Sequence, residues 1–445
     1  MTSFDQAIDD RIQEEILDRC TLCGKCAEVC PMPEPAGLDA SSAEAGAGIV
    51  SGVIDLLRGG DGSEDGREWA EVCTGSGFCI EACPESVNPR FMLAMARLAA
   101  RRQQGEEKMR ANGRSSFGTM SNAVRALSRL QLPQDVLSRI HPASSKQGTR
   151  TDAPDVIYYT GCNMLRTPHI GLLCLEVLDA MGVTYEVMGG PGHCCGIFQF
   201  REGDTATSEK IAGGTIEHFA RTGASEVLAW CPSCVVQYGE IALPTFEKSR
   251  QEQVPFDMLA FYVWLAGRLD DLKPLMKTPV NRRIALVERP GIPGARDAAI
   301  EIAMAIPGVE YVPLPDVQRA AISSNYLTLL PDFKEKLFHD EFDACVEAGV
   351  DTLATIFHPC HRETCHLGED KPFEIVNLME LVGESMGIHV PDLFKKLKIM
   401  GDIDRIIADS ADMIAEHNLN VDALRQHLEA EVIHANPFAG VFSKE

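Results

Sequence analysis

DVIYYTGCN, residues 155–163, and SEVLAWCPSC, residues 225–234, each run through β-branched or aromatic residues into a cysteine-bearing loop. That pattern reads as a strand that stops where the loop begins. Between the two, HIGLLCLEVLDAMG reads as a helix, TYEVMGG as a strand and ATSEKIAGGTIEHFART as another helix. Strands alternating with helices predict a parallel α/β sheet, whose ligands gather at the carboxyl ends of the strands. Cysteines fall at those ends: Cys162 first, then Cys194-Cys195-Gly196, then Cys231-Pro232-Ser233-Cys234.

The same grammar recurs downstream. RRIALVERPG (282–291) is similar to DVIYYTGCN, and GVDTLATIFHPCH (349–361) to GASEVLAWCPSC. Cys162 to Cys231 spans 69 positions and Pro290 to His358 spans 68, so two tandem copies of one unit are expected. The second copy lacks the cysteines: Pro290 stands for the first, Ser323-Ser324-Asn325 for Cys-Cys-Gly, and His358 and His361 for the last pair. What remains is HPCHRETCH, with His358, Cys360, His361, Cys365 and His366. This second candidate site could bind zinc, or set His361, Cys360 or Cys365 against the first copy's cysteines. The alternative is a decayed repeat kept for packing.

Upstream lies Cys20-x2-Cys23-x2-Cys26-x3-Cys30-Pro31, the spacing of a bacterial ferredoxin run. A second run, Cys73-x5-Cys79-x3-Cys83-Pro84, has Ser76 where a cysteine would stand. In two-cluster ferredoxins the fourth cysteine of each run ligates the other cluster. Cys20, Cys23, Cys26 and Cys83 are therefore expected to hold a [4Fe–4S] cubane. Cys30, Cys73 and Cys79 would hold a second cluster with Ser76 at its fourth corner. That cluster is either [3Fe–4S] or a modified [4Fe–4S], because a serine hydroxyl is a harder and less acidic ligand than a thiol. A helix over residues 12–19 should deliver Cys20, and GIVSGVIDLLRG and PRFMLAMARLAARRQ have helical rhythm.

Sixteen cysteines in a chain read as cytoplasmic point to metal ligation rather than disulfides. The cytoplasmic reading, free or peripheral to a membrane complex, rests on an acidic N-terminus without a signal-peptide pattern and on the absence of an apolar span. A net charge of −24 argues against nucleic acid as a partner. Five thiolates exceed one tetrahedral zinc site, although a four-thiolate zinc with one spare cysteine remains open. Cys174 and Cys345 lie on apolar helix faces and are expected to be buried and inert.

The cysteine pattern from 162 to 234 resembles the CCG domain of heterodisulfide reductases. A ferredoxin-type domain followed by paired CCG domains is similar to the fused catalytic subunit of that family. The resemblance implies that Cys162, Cys194, Cys195, Cys231 and Cys234 hold a noncubane [4Fe–4S] cluster acting on thiols or disulfides. Cys194 and Cys195 would then be catalytic, with His193 beside them as a proton-transfer group. An α+β multi-domain protein is expected: a helical two-cluster ferredoxin-type domain (1–105), a linker (106–153), a complete CCG domain (154–278), a degenerate repeat (279–400) and a helical segment (401–445) ending in a polar tail. The function expected is a redox subunit passing electrons from a flavoprotein to that cluster and on to a thiol, a disulfide or a related sulfur carrier. Its alternative is a non-catalytic subunit linking a flavoprotein dehydrogenase to quinone or another carrier. No dinucleotide fingerprint or P-loop occurs, so flavin and nicotinamide are assigned to partner chains.

Overall fold

The computed structural model describes residues 2–143 and 152–434; SSKQGTRT (144–151) and the polar tail lie outside them. The N-terminal portion is helical. Helix Phe4–Arg11 is capped by the Ser3 hydroxyl and widens into a π-helical turn, Ile12–Leu17, that leads to Cys20, so the delivering helix starts earlier than the sequence suggests. Helices Ala43–Leu57 and Pro89–Arg102 lie where the rhythm places them, and Glu64–Glu71 lies between. Ile49, Val53, Trp69, Phe91, Met92 and Met95 bury one core, against which Cys26 and Cys79 pack.

Two four-stranded parallel sheets follow. The first comprises β1 (Val156–Tyr159), β2 (Tyr185–Met188), β3 (Glu226–Ala229) and β4 (Asp257–Ala260), in the order β2-β1-β3-β4. The second comprises β5 (Arg282–Val287), β6 (Val309–Tyr311), β7 (Thr352–Thr355) and β8 (Glu374–Asn377), in the order β6-β5-β7-β8. Register sets Tyr159 against both Met188 and Ala229, so the loops after β1, β2 and β3 leave side by side. The chain order reverses between β1 and β3, which opens a crevice at their carboxyl ends. The edge strands β4 and β8 are short and lack a clear alternation, and the sequence does not announce them.

The segment expected as a linker is instead mostly helix, Glu106–Gln131 and Gln134–Ile140. Its charged residues face outward, whereas Gly113, Met120, Val124, Leu127 and Gln131 recur at helical spacing and are buried. Leu127 and Leu130 carry a core shared with Phe394, Leu397, Ile406, Leu424 and Leu428 from the C-terminal helices. The helix thus braces the far end of the chain rather than connecting two independent parts.

Arg90 ties three regions together. Its guanidinium pairs with Glu240 and donates to the carbonyls of Gly75 (2.8 Å) and Gly291 (2.6 Å). Arg90→Ala strands the Glu240 carboxylate and both carbonyls in a buried setting. Thermal melting should show a loss of about 3 kcal/mol, as for other broken buried pairs.

Candidate active site

Each N-terminal cysteine run makes a one-turn helix, Lys25–Glu28 or Phe78–Glu81, entered through a left-handed glycine. Gly24 has φ +78° and Gly77 has φ +82°, and the residue before each is Cys23 in one run and Ser76 in the other. Packing the two turns together crosses the thiols. Cys20, Cys23, Cys26 and Cys83 line one small pocket with Val50 and Met92. Cys30 lies instead with Cys73 and Cys79, and the Trp69 indole N–H donates to its sulfur at 3.4 Å. Burial, with the neighbouring thiols adding to it, pushes Cys26 up to about 12, and burial pushes Cys30 up to about 11. Thiols so reluctant to ionise alone fit a centre that brings its own positive charge, which deprotonates a coordinating thiol outright. Ser76 is buried on the loop between Cys73 and Cys79.

At the carboxyl ends of β1, β2 and β3, Cys162, Cys194, Cys195, Cys231 and Cys234 form one continuous run of sulfur contacts. Cys162 meets Cys194, Cys194 meets Cys195, Cys195 meets Cys234 at 3.6 Å, and Cys234 meets Cys231. All five are buried and none is in a disulfide. Gly196, at φ +75°, lets the chain turn back after the adjacent pair, and a Cβ there would lie 2.7 Å from the Ser208 hydroxyl. Contacts with neighbouring sulfurs hold Cys162, Cys195 and Cys234 well above the ordinary thiol value, and the same contacts hold Cys194 and Cys231 below it. This donor set, five soft ligands sharing one buried surface, fits an iron–sulfur cluster better than one four-coordinate zinc.

A cavity of about 280 Å³ opens onto Cys162, Cys195, Cys231 and Cys234. Its walls include Ser116, Thr119 and Met120 from helix Glu106–Gln131, and three arginines, Arg166, Arg201 and Arg362. Arg166 pairs with Glu431 at 2.6 Å and Arg201 lies over the Tyr326 ring. Cys73 borders a second, smaller cavity together with Ile197 and Phe200, on the helix that begins just after Gly196. The second N-terminal run therefore lies against the helix that follows the Cys194-Cys195 pair. It is held there by Thr74, whose hydroxyl donates to the Ala320 carbonyl and whose carbonyl accepts from Ile322 N–H at 3.2 Å.

The histidine nearest the sulfurs is not the expected one. His193 turns its ring to His218, Nε2 to Nδ1 at 3.0 Å, and borders a different pocket together with His141. It contributes its carbonyl, which accepts from the Tyr159 hydroxyl at 2.7 Å. His358 instead lies against Cys231 in the cavity wall, with burial lowering its pKa and the sulfur opposing that shift. Its signal in the sequence is its place in the second copy, where the first cysteine of the pair would be.

The five residues of HPCHRETCH do not converge on one ion. Helix His358–Thr364 rises about 1.5 Å per residue, so its two ends face different surroundings. Cys360 enters the core with Phe338, Phe342 and Ile375. Cys365 enters another with Leu127 and Phe394, and burial holds its thiol well up. His366 is pushed down to about 4, chiefly by burial. His361 meets Asp392 at 2.6 Å. Cys174 and Cys345 are buried, as their helix faces predict.

A family model described as a cysteine-rich domain, CCG, matches residues 156–238. The D subunit of the dihydromethanophenazine:CoB–CoM heterodisulfide reductase of Methanosarcina mazei is 21% identical over 410 residues, covering 84% of this chain and 94% of the relative. Its counterpart in Methanosarcina barkeri is 20% identical, with the same coverage of both chains. Residues 156–238 are thus a cysteine-rich CCG domain, and the chain is similar over most of its length to these reductase D subunits. An uncharacterized iron–sulfur protein of Methanococcus maripaludis is 24% identical over 163 residues, 36% of this chain and 31% of the relative. The named relatives are subunits of a larger reductase. Among the described residues, no helix is long and apolar enough to cross a membrane.

Proposed function

We propose that this chain receives single electrons through two N-terminal ferredoxin-type clusters and delivers them to a sulfur substrate at the five-cysteine centre. The observation that carries the reading is the 280 Å³ cavity, which is lined by four of the five thiols together with three arginines. Cys20, Cys23, Cys26 and Cys83 would hold a [4Fe–4S] cluster. Cys30, Cys73 and Cys79 would hold a [3Fe–4S] or modified [4Fe–4S] cluster beside Ser76. Cys162, Cys194, Cys195, Cys231 and Cys234 would hold a noncubane [4Fe–4S] cluster. When bound, that last group would supply electrons singly and an iron able to take a sulfur ligand. The two sheets, with their equivalent strand order, are read as tandem repeats of which only the first keeps its ligands.

The named relatives reduce a heterodisulfide, and the overall chemistry here is of that class: a disulfide takes up two electrons and two protons and leaves as two thiols. Arg166, Arg201 and Arg362 would hold an anionic group on the substrate, an unusual concentration of positive charge in a chain of net charge −24. His358, kept neutral by burial, would take or return a proton at the Cys231 side. The Glu106–Gln131 helix forms one wall of the cavity through Ser116, Thr119 and Met120. A flavoprotein and other redox subunits would supply the electrons.

Titrating the anaerobic protein with anionic thiols while recording its paramagnetic resonance tests the proposal. A thiol-dependent signal supports it. Unchanged spectra, together with fast transfer from a flavoprotein to quinone, would leave the relay-subunit reading in its place. Arg362→Gln should raise KM for an anionic thiol substrate about 10-fold or more while kcat changes little, the pattern of a lost charge-assisted contact outside the reacting atoms.

A further inference from the structure

Away from the cysteines, four ionisable side chains converge in the interior where the two sheet-bearing halves meet. His169 stands at the start of helix Pro168–Ala180 in the first half. His361, Glu380 and Asp392 come from three elements of the second half: helix His358–Thr364, the first turn of helix Leu378–Met386, and the cap of helix Leu393–Met400. One donor atom from each of the four lies within 4.8 Å of the other three. His169 and His361 are essentially inaccessible to solvent, at 1% and 0% exposure. His169 Nδ1 stands 3.3 Å from Asp392 and Nε2 stands 3.6 Å from Glu380, yet neither ring nitrogen makes a hydrogen bond.

The geometry points to a structural zinc site formed by His169, His361, Glu380 and Asp392. Two imidazoles and two carboxylates are a complete tetrahedral donor set for zinc, with bond lengths of about 2.0–2.2 Å and ligand atoms about 3.3 Å apart. To admit the ion, His361 Nε2 and Asp392, now 2.6 Å apart, must part to about 3.3 Å while the wider gaps of the group close. The set carries two negative charges when its imidazoles are neutral, and one divalent cation cancels them in a place where uncompensated charge is costly. Four protein ligands fill a tetrahedral zinc shell and leave no open position for substrate, although the Glu380 side chain is 23% exposed. That marks the site as structural rather than catalytic. The other electrostatic solution, two imidazoliums against two carboxylates, leaves His169 with two ion contacts and no good hydrogen bond, and zinc satisfies it better. Lys395, the nearby cation, is engaged elsewhere, its ammonium donating to the Ile375 carbonyl at 3.0 Å.

This ion would clamp the two halves together. His361 lies one helical turn beyond His358, so a metal that fixes His361 also fixes the helix presenting His358 to Cys231. The inference stands on its own residues and does not depend on the chemistry proposed at the five-cysteine centre.

Full-length protein produced anaerobically with zinc in the medium, then dialysed against a chelator, should retain about one zinc per chain. Zinc K-edge X-ray absorption should show a first shell of nitrogen and oxygen only, at about 2.0 Å, with imidazole scattering beyond it. His169→Gln and Asp392→Asn should each lower the zinc content about 10-fold while iron per chain is unchanged. Sulfur at about 2.3 Å in the zinc shell would overturn the assignment and place the metal among cysteines. Absence of zinc from the wild-type protein, or zinc contents unmoved in both variants, would overturn it too. Should either variant fail to fold, the wild-type absorption spectrum decides alone.

Discussion

Cys195→Ser is expected to lower the iron content by about four per chain and to abolish the thiol-dependent paramagnetic signal, with turnover falling at least about 10³-fold. Cys195 is the middle member of the sulfur chain, touching Cys194 on one side and Cys234 at 3.6 Å on the other, and it borders the open cavity. Serine keeps the shape but offers a hard, weakly acidic oxygen that iron in such a centre does not favour. Cys345→Ala provides the control. That thiol is buried on helix Pro331–Glu347 and touches none of the others, so its loss should leave the iron content unchanged. Equal iron loss in both variants would mean that the effect comes from misfolding, and unchanged iron in Cys195→Ser would remove the residue from the ligand set.

Gly24→Ala should be the most damaging single-methyl change in the N-terminal region. A Cβ at residue 24 would fall 1.8 Å from the Ala43 carbonyl oxygen and 2.6 Å from the Ala47 nitrogen, both backbone atoms that cannot swing aside. The left-handed φ of +78° adds strain for any L side chain. Together these should cost about 3 kcal/mol, lower the melting temperature and release iron from the site that Cys23 and Cys26 flank. Gly48→Ala, in helix Ala43–Leu57, meets nothing within 4 Å and should instead stabilise by about 1 kcal/mol. The close approach that Gly24 permits is thus to helix Ala43–Leu57. An unaltered melting temperature in Gly24→Ala would refute this packing account.

Much of the architecture is legible in the amino-acid sequence. Strand-to-loop runs ending at Gly161 and Cys231 place the sheet and its ligand-bearing edge, because β-branched runs and their terminating residues are local signals. The polar segment after residue 105 misleads for an equally local reason. Its composition is that of a connector, and only the spacing of Met120, Val124, Leu127 and Gln131 betrays a buried face. His193 misleads by adjacency: the residue next to Cys194 in sequence points to His218, since the turn through Gly190, at φ +72°, directs its ring away. HPCHRETCH looks like a ligand cluster when written as a string, but a helix spreads such a string among several environments.

By itself the sequence determined what neighbours within a few residues can decide: the cysteine spacings, the left-handed glycines, the helices and the strands that carry them. Tertiary structure alone decided which distant groups meet. It brought His358 against Cys231 across more than a hundred residues, lined the cavity with Arg166, Arg201 and Arg362, and gathered His169 with Asp392. The physical reason is that local backbone preferences act over a turn or a strand. Which helix face meets which sheet edge is chosen by the burial of whole apolar surfaces, and the polar groups carried on those surfaces meet only once they are packed.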